Sequence, residues 1–504
     1  MTRPPTSSFR RWWLWLTAAV VGVVGLLAGG VALDRYLARK AWADACAEAD
    51  RLDPGWRWDD LMAARPYPPD DRNAAVRLRD VGRAMPQKWP DWTAAVRPED
   101  IPPLPDDGLP PGGPPDERRE EYARGLEDGI AALTPAQQLR PDQAAALVAV
   151  VSAAANALPL TVGLEDLSPG RLPHDRVRPL LNDLFPPRVQ QAREVAQLLR
   201  LHATLLAQDG RLDDALADCR RMLVAGRTAA AEPMFITELV EMAVRATAVG
   251  RVERVLAQGE PGPVALDQSR QAFAAALAAP VLLDALRGER AFTEDLVTSA
   301  DEGLVDPEKA FEYDVPSVTG YARIDRWLHR LRGGAWTKRQ SAAVLRFETL
   351  LVEMAKQSPD APRARAAEIA AYRAALSPQL QKAIQSYDAL LQAERRSRAL
   401  VASTMVALAA ERFRRDRGRW PDSVAELVGM NLLAAVPTDP FDGQPLRLKR
   451  LADGLVVYSV GPDLADDGGE VRADPQVGGQ PKDLGVRLWD PARRRQPPPA
   501  RAQP

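Results

Sequence analysis

The sequence predicts a mainly α-helical chain: an N-terminal transmembrane helix, an irregular and partly repeat-like α-helical body, and a small C-terminal α+β module with a three-stranded antiparallel sheet. Three observations predict it. A charge-free apolar run stands near the amino end, apolar residues recur at three- and four-residue steps through 116–392, and the period drops to two after Gly443. The 504 residues, 46% of them hydrophobic, suffice for about three domains with real cores. A formal charge of −2 gives no global reason to bind nucleic acid or an anionic surface. With only Cys46 and Cys219, a disulfide-stapled scaffold and a four-cysteine zinc module are excluded. Three scattered histidines argue against a multi-histidine metal enzyme.

Residues 1–11 read as a cytoplasmic tail, carrying Arg3, Arg10 and Arg11 and no acid. Residues 12–33 read WWLWLTAAVVGVVGLLAGGVAL. At about 1.5 Å per residue this run makes a helix of about 33 Å, and a hydrocarbon core is about 30 Å thick. Trp12, Trp13 and Trp15 at one end, and Tyr36 and Trp42 beyond the other, suit the two headgroup regions. A cleaved signal peptide is the competing reading, because Gly30-Val31-Ala32 resembles a cleavage site. The run exceeds the roughly 7–15 apolar residues of such peptides, which favours an uncleaved anchor. Arg35, Arg39, Lys40 and Arg51 follow the span, so the flanking charges nearly tie. A short basic N-terminus favours N-in, C-out, as in a single-pass protein of the bacterial inner membrane with its bulk on the periplasmic side.

Residues 34–115 form a juxtamembrane helix and a linker. Asp34 to Arg51 continues helical until Asp53-Pro54-Gly55. Ile101 to Pro115 is the strongest breaker run, since proline lacks the amide donor and fixes φ; it reads as a surface linker. In the helical domain, 116–392, Val195, Leu198, Leu199, His202 and Leu205 form one stripe. Leu212, Ala215, Leu216, Cys219 and Leu223 form a second, with Gln208-Asp209-Gly210-Arg211 turning the chain between them. The pair resembles one tetratricopeptide unit. No second or third copy follows at a period of about 34, so an irregular helical domain is expected rather than a solenoid. His202 and Cys219 lie on apolar stripes and read as a core histidine and an inert buried thiol. A Cys46–Cys219 disulfide stays open, because sequence does not give a Cα separation. His174 and His329 have no chemical partner at a useful offset and read as structural.

The C-terminal module spans 393–490. Val401, Met405 and Leu408 start a helical stripe toward Phe413, Arg412, Arg414, Arg415 and Arg417 gather at its end, and Gly418 is placed to cap it. Trp420-Pro421 redirects the chain, and Ser423 to Glu426 fits a capping box before a short helix. Leu446 and Leu448 then alternate with Arg447 and Lys449, Asp453-Gly454 supplies a tight turn, and Leu455 to Ser459 returns. Leu484 to Trp489 can pair as a third strand, so that one helix covers the sheet. Residues 491–504 read as a disordered tail.

Asp416, Gly418, Arg419, Trp420 and Pro421, then Pro437, Asp439, Pro440, Phe441 and Gly443, then Tyr458, Ser459, Gly461 and Asp463 follow one another in an ordered series. In this series the segment 400–475 resembles the C-terminal half of the major pseudopilin of type II secretion systems. The chain departs from that family at its membrane helix, where Arg11-Trp12-Trp13-Leu14-Trp15 replaces the processed Gly-Phe-Thr-Leu-Ile-Glu start. The resemblance implies a Ca²⁺-binding loop after Tyr458, with the Val460 carbonyl and Asp463 as ligands and Asp467 and Asp474 as the further carboxylates. Local chemistry points the same way: Asp463, Asp466, Asp467, Glu470 and Asp474 interleave with Gly468 and Gly469, and Ca²⁺ takes about six to eight oxygens. A solvated acidic loop is the plain alternative, and the spacing does not fit an EF-hand.

Taken together, the sequence points to a non-enzymatic, membrane-anchored bacterial envelope protein, with a helical interaction or scaffold body and a pseudopilin-like, calcium-binding module at its C-terminal end. Its expected partners are the lipid bilayer and other proteins. Two alternatives remain: an exported hydrolase using carboxylates of the helical body, and an accessory type II secretion component. No Gly-x-Ser-x-Gly elbow, His-Glu-x-x-His helix, P-loop or dinucleotide fingerprint is present.

Overall fold

The structure, a computed structural model, describes residues 7–65, 67–97, 115–172, 187–304, 334–472 and 482–499. The proline-rich linker over 101–114, His174, His329 and Asp474 lie outside the described residues. The main helices, in chain order, are α1 (Ser7–Leu52), α2 (Ala74–Ala84), α3 (Pro115–Ala132), α4 (Pro141–Ala153), α5 (Pro187–Gln208) and α6 (Leu212–Ala229). They continue with α7 (Phe235–Gln258), α8 (Pro263–Ala278), α9 (Val281–Asp301), α10 (Ala335–Gln357) and α11 (Ser386–Arg417). A sheet follows, of order β1 (Arg447–Leu451), β2 (Gly454–Ser459), β3 (Leu484–Trp489), antiparallel throughout. The chain is thus mainly helical with a three-stranded antiparallel sheet near its C-terminus, as predicted.

Two compact units divide the chain. The first comprises Met1–Ala64, Arg178–Asn182 and Leu286–Tyr387. Within it α1 is unbroken from Ser7 to Leu52, so the predicted span and juxtamembrane helix are one element. Over 12–33 its large apolar side chains face outward: Trp15 is 77% exposed and Leu26 79%. This helix is long and apolar enough to cross a membrane. Farther along, Ala45 and Ala49 are buried against Ala342 and Leu345 of α10, with Trp56 closing the cluster. Asp34 pairs with Arg339, Glu48 with Arg346 at 3.4 Å, and Lys356 donates to the Leu52 carbonyl at 2.8 Å.

The second unit comprises Arg65–Val177, Asp183–Ala285 and Asp388–Pro504. The predicted helix pair is α5 and α6, turned by Gly210 at φ +79°, with Arg211 N–H returning to the Leu206 carbonyl at 2.8 Å. The left-handed backbone at Gly210 is one that a Cβ would strain. At Gly226 the next helix comes close: a Cβ there would lie 3.2 Å from the Val244 side chain of α7.

The C-terminal module is not a domain apart. Leu455, Val457, Val486 and Leu488 of the sheet share one core with Leu198, Leu216 and Phe273 of the helices and with Val406 and Phe413 of α11. The predicted turn moves back one place, since Leu451 pairs with Gly454 and leaves Ala452-Asp453 between the strands. Half of the predicted capping box forms: Ser423 Oγ accepts from Glu426 N–H at 3.3 Å, while the Glu426 carboxylate accepts from Asp422 N–H at 2.9 Å and pairs with Arg419. Gly418 N–H closes α11 on the Arg414 carbonyl at 2.8 Å.

The first residues of the expected disordered tail are ordered instead. Arg494 is 6% exposed, and its guanidinium reaches the Glu411 carboxylate at 2.8 and 3.0 Å and the Gly259 carbonyl at 2.6 Å. Gln496 N–H donates to the Ala136 carbonyl at 2.7 Å. A buried Arg–carboxylate pair of this kind fixes a segment that composition alone marks as loose.

Candidate functional site

Two places in the second unit carry candidate chemistry. The first is the acidic loop after β2. Its anchor is Asp439, fully buried, which accepts from Ser459 Oγ at 2.7 Å, Phe441 N–H at 2.9 Å and Val460 N–H at 3.0 Å, with Arg447 at 3.2 Å. Val460 is therefore held at the mouth of the loop. Asp463 accepts from Ala465 N–H at 3.2 Å, and Asp467 lies 3.4 Å from Lys482, which also pairs with Glu470 at 3.2 Å. Asp466 accepts from Tyr458 OH and Gly468 N–H, both at 3.0 Å, and pairs with Arg447.

Asp483 is the residue that sequence reading missed here. It is fully buried, accepts from Gly469 N–H at 2.7 Å and Glu470 N–H at 3.2 Å, and leaves Oδ1 without a hydrogen-bond partner. Burial pushes its carboxyl above the usual range despite those amides. Among the described residues no three of His, Cys, Asp and Glu gather as a metal-holding group. The loop's charge is met by Arg447, Lys449 and Lys482, the second donating to the Gly468 carbonyl at 2.8 Å.

The second place is a cleft of about 590 Å³, within the range of about 300–1,000 Å³ that ligand pockets occupy. Helical spacing builds it. On α6, Arg220, Leu223, Val224 and Arg227 fall on one face; on α7, Glu241 and Arg245 stand one turn apart; on α8, Gln268, Gln271, Ala272, Ala275 and Ala276 line the opposite wall. Glu165, Asp166 and Pro169 complete the rim.

The charges at its base are mostly committed. Arg227 pairs with Glu241 at 3.1 Å and Asp284 at 2.8 Å, Arg245 pairs with Glu241, and Arg65 pairs with Asp284 at 3.3 Å. Beneath them Glu238 is fully buried, with no hydrogen bond to either carboxylate oxygen and Arg227 at 3.8 Å. Burial, then the neighbouring Glu241, push its carboxyl well above the usual range. At the rim Glu165 grips Arg221 through two bonds of 2.7 and 3.0 Å. Arg221 also reaches Asp218 at 2.8 Å, and Asp218 lies 2.6 Å from His202 Nδ1. His202 thus has its partner, and Cys219, fully buried, is a free thiol like Cys46.

Arg220 differs from these. Its one hydrogen bond is to Ser269 Oγ at 3.2 Å, and no acid pairs with it among the described residues. The two convergent, unengaged acids that general acid–base chemistry needs are not assembled in the described cleft: Glu241 is held by two arginines and Glu165 by one. No protein-family model matches the chain, and neither a curated protein nor a solved structure matches it.

Proposed function

We propose that the chain is a non-catalytic, membrane-anchored protein of the bacterial envelope, single-pass in the inner membrane, with its helical body as an interaction scaffold on the exported side. The observation that carries this reading is the outward-facing apolar surface of α1 over 12–33, which no segment of the first unit covers among the described residues. Water makes such a surface costly at roughly 25 cal/mol per Å², and lipid removes the cost. Orientation rests on Arg3, Arg10 and Arg11, with no acid among them. Protease added to intact spheroplasts tests it: digestion of the 34–499 bulk is expected, and protection of that bulk would reverse the orientation.

The module over 400–475 is, in this proposal, a pseudopilin-like cap on the body. Its motif residues act as fasteners: Asp439 ties three segments, Trp420 Nε1 donates to Asp490 at 2.6 Å, and Arg419 pairs with Glu426. Ca²⁺ binding through the Val460 carbonyl, Asp463, Asp467 and Asp474 belongs to the same proposal. Its support is the orphaned Oδ1 of buried Asp483 beside that loop, an acceptor with no donor.

A further inference from the structure

Among the arginines lining the cleft between α6, α7 and α8, Arg220 alone lacks an acid partner in the described residues, and its surroundings are built for one. Burial disfavours the charged guanidinium, which a bound anion would offset. Nη1 is occupied by Ser269, leaving the other edge of the planar fork for a two-point contact with a carboxylate. Next to it the wall turns apolar, with Leu223 and Val224 on α6 and Ala272 and Ala276 on α8.

The flanking acids narrow the choice. Glu165 and Asp166 act on Arg220 through space, so a ligand with two negative charges meets about twice the repulsion that a single charge meets. We infer that this cleft binds a small organic monocarboxylate, its carboxylate on the free edge of Arg220 and its apolar body against Leu223, Val224, Ala272 and Ala276. Gln268 and Gln271 at the wall leave room for a polar substituent on that body. The site asks for both halves of the ligand, charge and hydrocarbon, because neither half alone fills about 590 Å³ with matched chemistry.

The test uses the full chain in lipid nanodiscs, with empty nanodiscs as baseline, titrated calorimetrically with 3-phenylpropanoate. Acetate, 3-phenylpropanol and phenyl phosphate are the comparison probes. Saturable binding of 3-phenylpropanoate is expected, with each comparison probe at least tenfold weaker. Arg220→Gln should lose at least tenfold in affinity and Arg220→Lys less, while Ala276→Phe, which fills the apolar half, should lose binding with the guanidinium intact. Thermal melts confirm that each variant folds. Absence of saturable binding by the native chain overturns the inference, as do an unchanged affinity in folded Arg220→Gln and a preference for phenyl phosphate.

Discussion

Glu348 sits in the core of the first unit with Tyr387 OH donating at 2.5 Å and Thr293 Oγ1 at 2.8 Å, both to Oε1, while Oε2 has no partner. Burial pushes its carboxyl up to about 8. The native state therefore holds a proton that the unfolded chain releases near the ordinary carboxyl value of about 4.3, so stability falls as pH rises from about 4.3 to 8. Glu348→Gln keeps the acceptor and removes the titration. Its melting temperature should exceed the native chain's at pH 8.5 and match it at pH 4.5; an equal gap at both would contradict the assignment. Asp53 is the opposite case. Burial would raise its carboxyl, but hydrogen bonds from Arg287 and Arg290 overcome that and hold it at about 2. It is ionised in the native state down to that pH, and its contribution is lost as pH falls from about 3.9 through 2. Asp53→Asn strands fully buried Arg290 and should cost about 3–5 kcal/mol in urea unfolding at pH 7. A loss below about 1 kcal/mol would contradict this, showing that Arg290 is held well enough by its stacking over Trp56 without Asp53. Neither residue was legible in the sequence, because Asp53 and Arg287 lie 234 positions apart and only the tertiary fold joins them.

At the scale of elements the sequence was more readable, and for a local reason. Stripes at three- and four-residue steps placed α5 and α6, alternation placed β1 and β3, and the turn placed β2 as the return strand, with Leu448 opposite Val457 and Val457 opposite Val486. What misled was composition. The run after Trp489 looked loose, yet Arg494 finds Glu411 on α11, 83 residues away. The cleft was invisible for a related reason: Arg220 and Arg227 on α6 look like a solvated face until α7 and α8 close over them. The acidic loop belongs to this scale too. If it takes Ca²⁺, binding only the native state, the full chain's melting temperature should rise by a few degrees in excess Ca²⁺ over chelator, and Asp463→Asn should remove the rise. Identical melting curves in the two conditions would leave a loop neutralised by Arg447, Lys449 and Lys482 alone.

For the whole molecule the sequence suggested a linear order of anchor, linker, body and cap, and the structure groups these pieces differently. Residues 286–304 and 334–387 join the unit of α1, and the C-terminal strands join α2 to α8. Sequence order hid this because each core is assembled from distant segments: Ala45 meets Ala342, and Leu455 shares a core with Leu216. The long apolar helix itself was legible because it needs no partner within the chain, only length and the absence of charge. The most direct test of the account is extraction of membranes with alkaline carbonate. The full-length chain should stay in the pellet, and a chain lacking residues 12–33 should move to the supernatant. Release of the full-length chain by carbonate would contradict membrane anchoring, and with it the envelope function built upon it.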